Sequence, residues 1–198
     1  CAAGIVVGKV GTASVTTEEL RESLLRLPKA EGVGVFRNMN KAVFLDRDGV
    51  INRKLENDYV KSWDEFQFLP GVIEAIKAIN EKGYLVIVVT NQRGIAKGLM
   101  TEKDLEEIHR RMLKELKKHG ARIDDIFYCP HDISDDCNCR KPKPGLLIQA
   151  QKKWNIDFAQ SFIIGDSNSD LEAGRQVGCR GILTTKLSKA VELLLPKT

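Results

Sequence analysis

From Lys41 onward, short apolar runs alternate with longer segments in which apolar residues recur every three or four positions. The runs are typical of strands buried in a parallel sheet, and the longer segments are typical of amphipathic helices. Strands are predicted within the stretches KAVFLD, YLVIVVT, DDIFYC, SFIIGD and RGILTT. Helices are predicted within GVIEAIKAINEKG, TEKDLEEIHRRMLKELKKHG, PGLLIQAQKKW, SDLEAGRQVG and KLSKAVELLL. This alternation predicts an α/β fold with a Rossmann-like parallel sheet and helices on both of its faces.

Residues 1–40 differ from the rest of the chain in composition. They are rich in Gly, Ala and Val, and a short amphipathic stretch, TTEELRESLLRL, precedes a glycine-containing linker. We therefore divide the chain into residues 1–40 and a second domain, residues 41–198. Because the sequence opens in an apolar run without an initiator Met, we expect it to be a piece of a longer protein.

Composition excludes several classes of protein. With 42% hydrophobic residues among 198, the chain can bury a core and is not expected to be disordered. It has no apolar run of about 18 residues and no signal-peptide pattern at its N-terminus, which predicts a cytoplasmic protein without membrane contacts. The net charge is +4, and the basic residues are scattered along the predicted helices. They are expected to be solvated rather than to bind nucleic acid.

Polar residues stand directly after the predicted strands. Asp46 and Asp48 follow the first strand, Thr90 and Asn91 follow the second, and Asp166 follows the fourth. In parallel α/β sheets, ligands bind beyond the carboxyl ends of the strands. Carboxylates gathered there would repel one another, and Mg²⁺ relieves this repulsion by binding one or two carboxylates, waters and substrate phosphate oxygens. The pattern therefore predicts a magnesium-dependent phosphoryl-transfer site.

The loop after the third strand, YCPHDISDDCNCRKPKPG, contains four candidate metal ligands: Cys129, His131, Cys137 and Cys139. In a reducing compartment, clustered cysteines are more often metal ligands than disulfides. The C-x-H-x5-C-x-C spacing suits a closed tetrahedral zinc site with a structural role. A cluster of reactive or merely buried thiols is the alternative. A zinc module that binds nucleic acid through RKPK is a more distant one, because zinc ribbons usually draw ligands from two separated knuckles.

The D-x-D, Thr, Lys and G-D-x-x-x-D motifs occur in order at the strand ends. Together they resemble the haloacid dehalogenase superfamily of phosphatases. The resemblance implies that Asp46 is the nucleophile, which forms an aspartyl-phosphate, and that Asp48 is the general acid and base. It also implies that Thr90 and Lys141 hold the phosphoryl group. Mg²⁺ would be bound by Asp46, Asp166 and the carbonyl of Asp48.

Two further expectations follow from this resemblance. Asp170 is expected to support the site as a partner of Lys141 rather than as a metal ligand. The short spacing between the first two motifs leaves no room for a large inserted domain. We therefore expect a minimal cap and an open site.

The stretches TNQRGIAKGLMTE and CPHDISDDCNCRKP resemble a zinc-containing branch of that superfamily, whose members hydrolyse histidinol phosphate or heptose bisphosphates. The TNQ-x-GIA-x-G pattern resembles the heptose branch, and this resemblance implies removal of the 7-phosphate from a heptose 1,7-bisphosphate, although the pattern itself does not distinguish the two phosphates or the anomers. Histidinol phosphate or another small sugar phosphate is the alternative substrate. Asn91, Gln92, Arg93 and Arg140 are the candidate substrate contacts. Ser167 departs from the heptose pattern, which often has Lys there, and this weakens the inference about the rest of the substrate.

The N-terminal stretch AAGIVVGKVGTASVTTEEL resembles the C-terminal end of ribokinase-like heptose 7-phosphate kinases. Such a kinase would supply a heptose 1,7-bisphosphate. Both resemblances therefore indicate one pathway, which makes nucleotide-activated heptose for bacterial lipopolysaccharide. We expect residues 1–40 to be a kinase remnant with a linker, and the full-length protein to carry the kinase domain. An unrelated N-terminal extension is the alternative.

The remaining histidines and cysteines suggest no second site. His109 and His119 fall on the long predicted helix and are expected to be surface or packing residues without a catalytic role. Cys1 and Cys179 have no partner at metal-like spacing, and Cys179 is expected to be a small buried residue.

Overall fold

The computed structural model describes residues 39–194, so the predicted kinase remnant lies outside the described residues. The strands are β1 (Ala42–Leu45), β2 (Leu85–Asn91), β3 (Asp125–Cys129), β4 (Phe162–Gly165) and β5 (Arg180–Leu183). The α-helices are α1 (Val72–Glu81), α2 (Glu102–Lys118), α3 (Gly145–Trp154), α4 (Asn168–Arg175) and α5 (Leu187–Leu194). Short 3-10 helices span Trp63–Glu65 and Phe158–Gln160. Each predicted strand and helix is present, and the differences are confined to their ends.

The five strands form one parallel sheet in the order β3-β2-β1-β4-β5. The central strand, β1, pairs with β2 on one side and with β4 on the other. The chain first builds outward from β1 through β2 to β3, and then crosses back to add β4 and β5. This reversal leaves a crevice beyond the carboxyl end of β1, where ligands bind in open α/β sheets. The predicted fold class is confirmed.

Helices cover both faces of the sheet because successive strand residues point to opposite sides. Val43 and Leu45 of β1 belong to a buried cluster that also contains apolar residues of α1, α2 and α5. Phe44 belongs to a second cluster, on the opposite face, which contains residues of α3 and α4. The predicted continuous apolar strands are therefore buried on both sides. No helix in residues 39–194 is long and apolar enough to cross a membrane.

The connection between β1 and α1, residues 46–71, forms one wall of the crevice. Its only helical element in the described chain is the 3-10 turn at Trp63. An aromatic cluster anchors it, because the Trp63 ring stacks on Phe66 at 5.0 Å between centroids and meets the edge of Phe68 at 6.5 Å. The expected minimal cap is thus a short loop pinned by aromatic packing.

Candidate active site

A tight turn at the carboxyl end of β1 presents the first two acidic residues. The carbonyl of Arg47 accepts hydrogen bonds from the backbone N–H groups of Ile51 and Asn52, at 2.8 and 3.1 Å. Gly49 has a φ of +95°, and a Cβ there would lie 2.3 Å from Oδ2 of Asp166. Glycine is therefore required both by the backbone and by the close approach of this carboxylate.

Asp46 lies on the floor of the crevice, with 13% of its side chain exposed. Its Oδ1 accepts a hydrogen bond from the backbone N–H of Arg47 at 2.8 Å and contacts Nζ of Lys141 at 3.0 Å. Burial raises the pKa of Asp46 to about 6, although the charge of Lys141 opposes this shift. Its Oδ2 has no hydrogen bond within the described residues. One carboxylate oxygen is therefore anchored and the other is available.

Lys141 is a buried cation with three acceptors. Its Nζ donates to the carbonyl of Val89 at 2.7 Å, to Asp170 and to Asp46. An ammonium group has three N–H donors, so this set satisfies all of them. Burial acts to lower the pKa of Lys141, but the charges of Asp46 and Asp170 outweigh it and raise the pKa above its usual value. The ammonium group therefore stays charged inside the protein.

Asn91 holds the backbone of Lys141 in place. The Nδ2 of Asn91 donates to the carbonyl of Lys141, and the Lys141 N–H donates to Oδ1 of Asn91, both at 3.1 Å. Asn91 and its buried neighbour Thr90 both line the crevice. Of the predicted substrate contacts near the end of β2, Asn91 therefore reaches the cavity and also positions the lysine.

Three residues donate hydrogen bonds to the carboxylate of Asp48. Nη2 of Arg47 lies 3.0 Å from its Oδ1 and 2.9 Å from its Oδ2. Asn52 donates to Oδ1 and Gln92 donates to Oδ2, each at 2.9 Å. Burial acts to raise the pKa of Asp48, but Arg47 and these hydrogen bonds prevail and lower it. Gln92, a predicted substrate contact, is buried against Asp48 and Thr90 instead of lining the crevice.

The acidic residues at the end of β4 divide into two roles. Asp170 is fully buried, and its oxygens accept hydrogen bonds from Lys141 and from the hydroxyl of Ser167. Asp166 lines the crevice, and its buried Oδ1 has no hydrogen-bond partner among residues 39–194. Carboxylate oxygens of Asp46, Asp166 and Asp170 lie within 4.8 Å of one another. The unpartnered oxygen of Asp166 and the free Oδ2 of Asp46 fit a hard divalent cation such as Mg²⁺.

Lys54 is a site residue that sequence reasoning missed. It lies on the loop between β1 and α1, and its Nζ contacts Oδ2 of Asp166 at 2.7 Å. It lines a cavity of about 180 Å³ together with Tyr59 and the acidic residues. That loop has no periodic pattern. The only available signal was the position of Lys54 in the sequence between the D-x-D motif and the G-D-x-x-x-D motif.

The burial of Arg47 and its contact with His109 were not predicted. Arg47 is fully buried, and its Nη1 lies 3.4 Å from Nε2 of His109 on α2. His109 is 7% exposed, which agrees with the packing role expected for it but not with a surface position. A buried arginine is rarely predictable, because this residue type is usually solvated.

We expect His109 to make the stability of the fold pH-dependent. Burial first, and then the charge of Arg47, lower its pKa in the folded protein to about 3, against about 6.5 in an unfolded chain. Between these values only the unfolded chain binds the proton, so the stabilisation is complete above about pH 6.5 and decreases as the pH falls. At pH 5 the loss relative to pH 8 is about 2 kcal/mol.

Urea unfolding at pH 8 and pH 5 measures this loss. His109→Gln should lose about 2 kcal/mol less than the wild type, because Gln does not titrate. His119→Gln, at the exposed end of the same helix, should behave as the wild type. Equal losses in the wild type and His109→Gln would contradict the expectation.

The four predicted zinc ligands meet in one cluster. The three sulfurs lie 3.1 to 3.5 Å apart, and Nδ1 of His131 is 3.2 Å from the sulfur of Cys139. These separations exclude a disulfide bond of about 2.05 Å. They are close to the roughly 3.7 Å between sulfurs of a tetrahedral site with Zn–S bonds of about 2.3 Å. A donor set of three thiols and an imidazole fits zinc.

The two predicted arginine contacts lie on either side of this zinc loop. Arg93 forms an ion pair with Asp132, with Nη2 2.7 Å from Oδ1, so its guanidinium is already partnered. Nη1 of Arg140 lies 3.5 Å from the carbonyl of His131. Arg140 lines a second depression, which adjoins the crevice at Asn91 and Lys141. Arg140 is therefore better placed than Arg93 to reach a bound molecule.

The parallel sheet and the acidic residues at its carboxyl edge define an α/β protein with a carboxylate-rich site at the strand ends. Residues 36–178 match the haloacid dehalogenase-like hydrolases. The chain is 44% identical to the D-glycero-beta-D-manno-heptose-1,7-bisphosphate 7-phosphatase of Rhodopseudomonas palustris, over 71% of this chain and 81% of that relative. It is 42% identical to the D-glycero-alpha-D-manno-heptose-1,7-bisphosphate 7-phosphatase of Photorhabdus laumondii, over 71% of this chain and 80% of that relative.

A solved structure agrees with these matches. The D,D-heptose 1.7-bisphosphate phosphatase from B. bronchiseptica, complexed with magnesium and phosphate, aligns with a TM-score of 0.75 and 35% identity. The alignment covers 80% of this chain and 99% of that one. This chain belongs to the haloacid dehalogenase-like hydrolase family.

Proposed function

We propose that this protein is a magnesium-dependent phosphatase that removes the 7-phosphate from D-glycero-D-manno-heptose 1,7-bisphosphate. The observation that carries the proposal is the pairing of an anchored Asp46, whose Oδ2 is free, with the buried ammonium of Lys141. Relatives named for this activity, and a relative solved with magnesium and phosphate, support it. The reaction belongs to nucleotide-activated heptose synthesis.

In the proposed reaction, Asp46 attacks phosphorus to form an aspartyl-phosphate, and the bond to the sugar oxygen breaks. Because the pKa of Asp48 is lowered in the free protein, Asp48 must first take up a proton from solvent, which it then gives to the departing oxygen. As a carboxylate, it next takes a proton from the water that attacks the aspartyl-phosphate, which restores the acid form for the following turnover. This second step releases inorganic phosphate and restores Asp46. Splitting one displacement into two lowers each barrier.

The surrounding residues neutralise and orient the phosphoryl group. Lys141 supplies a fixed positive charge, and Thr90 supplies a hydroxyl at the edge of the same crevice. Mg²⁺, held by Asp46, Asp166 and the Asp48 carbonyl, would supply further positive charge for the phosphate oxygens. Asp170 keeps Lys141 charged and in place. Arg140 is the candidate contact to the rest of the substrate, because it lines the adjoining depression.

Zinc bound by the cysteine and histidine cluster would be structural, since four protein ligands leave no open position. The predicted fusion to a heptose kinase stays a prediction, as does the cytoplasmic location. The smallest unit proposed to act as the phosphatase is residues 41–198.

Phosphate release with Mg²⁺ tests the function. Both anomers of the heptose bisphosphate are compared with histidinol phosphate, and Asp46→Asn is the control. We expect preference for a heptose anomer, with a loss on the order of 1,000-fold or more in Asp46→Asn. Preference for histidinol phosphate would reject the heptose substrate and keep the mechanism. Release that is unaffected by Asp46→Asn would reject the mechanism.

A further inference from the structure

The largest fully buried side chains include that of Arg47, which stands between the two acidic residues of the β1 turn. Its guanidinium faces Asp48 with two nitrogens, Nε at 3.3 Å from Oδ1 and Nη2 at about 3 Å from both oxygens. Asn52 and Gln92 each reach a single oxygen of Asp48. Arg47 is therefore the contact that fixes the plane of this carboxylate.

The other side of the guanidinium faces His109. Because a guanidinium can only donate hydrogen bonds, Nε2 of His109 must be the acceptor of Nη1 across the 3.4 Å contact. The imidazole is then neutral and carries its proton on Nδ1. The Tyr128 ring packs against it in a T-shaped arrangement, with 6.2 Å between the ring centroids. Without this acceptor, a buried N–H of Arg47 would lack its partner in the described chain.

Arg47 thus connects the carboxylate of Asp48, which lies on a loop, to helix α2. Asp48 lies outside any strand or helix, whereas His109 lies near the middle of α2. We propose that His109 is a positioning residue that acts through Arg47 to aim the carboxylate of Asp48 at the scissile oxygen. The proposal rests on the function above, in which Asp48 is the general acid and base.

A misaimed general acid has a specific kinetic signature. An alkoxide is a poor leaving group and needs the proton from Asp48, whereas p-nitrophenolate leaves without it. The ratio kcat/KM includes only the steps through the first P–O cleavage. Misplacing Asp48 should therefore lower kcat/KM mainly for the sugar ester. General destabilisation of the fold would lower kcat/KM for both esters alike.

The experiment compares heptose 1,7-bisphosphate with p-nitrophenyl phosphate in matched variants. His109→Met fills the space without a strong acceptor, and His109→Gln keeps an oxygen acceptor at a similar reach. We expect His109→Met to lose on the order of 100-fold in kcat/KM on the heptose ester and at most a few-fold on the aryl ester. His109→Gln should recover most of the loss, and His119→Met should show none.

A second measurement locates the effect at Asp48. In an Asp48→Asn background, His109→Met should cost no further activity on the heptose ester, because there is no acid left to aim. Equal losses on both esters, no loss, or a full additional loss in the Asp48→Asn background would overturn the proposal. If His109→Met does not fold, Arg47→Lys takes its place, since Lys keeps the charge but cannot bind both oxygens in the same plane.

The same data separate this inference from the proposed function. Wild-type hydrolysis that Asp46→Asn abolishes supports the phosphatase mechanism, whatever the leaving-group comparison shows. An unchanged ratio between the two esters in that active enzyme rejects the role of His109 alone.

Discussion

Lys141→Met is expected to abolish phosphate release and also to destabilise the fold by about 3–5 kcal/mol. Only 3% of the lysine side chain is exposed, and its ammonium is the cation that faces the fully buried Asp170. Removing it leaves that carboxylate without a counter-charge, which is the costly case for a buried pair. Activity should fall on the order of 1,000-fold, because the fixed charge beside the phosphoryl group is lost.

Lys141→Met combined with Asp170→Asn separates the two effects. The second substitution removes the uncompensated charge, so urea unfolding should show that much of the lost stability returns. Phosphate release should stay as low as in the single variant, since the cation is still missing. A single variant as stable as the wild type would contradict the expectation, as would a double variant that regains activity.

Loss of zinc is expected to loosen residues 129–140 and to weaken substrate binding more than it slows the chemistry. Binding of a structural zinc ion contributes folding free energy directly, and apparent values are roughly 10–16 kcal/mol in zinc-finger peptides. Arg140 is attached to this loop through the carbonyl of His131, whereas Lys141 is held by β2. KM should therefore rise about 10-fold, equivalent to about 1.4 kcal/mol, with a smaller change in kcat.

Metal analysis and limited proteolysis check this expectation. The wild type should contain one zinc ion per chain, and Cys137→Ser should contain far less and be cleaved faster within the loop. Cys179→Ala is the matched control, because Cys179 is a free buried cysteine outside the cluster and its loss should leave zinc in place. A zinc-free wild type, or a zinc-free variant with unchanged KM, would contradict the expectation.

The sequence was sufficient to predict the parallel sheet and the residues gathered at its carboxyl edge. Asp46, Thr90 and Asp166 each follow an apolar run, and parallel strands end at the same edge of the sheet. The three residues meet there because their strands, β2, β1 and β4, are neighbours. The zinc ligands were predictable because all four lie within one short loop. These predictions needed only the local sequence pattern and the rule that ligands bind beyond the carboxyl ends of parallel strands.

The contacts that were missed depend on long-range packing. Arg47 lies 62 positions before His109 in the chain, and no local period shows that its side chain turns into the interior. Gln92 looked like a substrate contact because it follows a strand, yet it faces inward to Asp48. Lys54 lies on an irregular loop, whose path is set by the packing of Trp63 and Phe66.

The side-chain amide of Asn91 bonds to both the carbonyl and the N–H of Lys141, as the backbone of a neighbouring strand would. Because Asn91 is the last residue of β2, these hydrogen bonds join the end of this strand to a residue 50 positions further along the chain. The ammonium end of the same lysine is bound to Val89, also on β2. Thr90 lies between these two attachment points. Any shift of β2 would therefore move the Thr90 hydroxyl and the Lys141 ammonium together. The distance between these two groups, which are proposed to hold the phosphoryl group, would then stay the same.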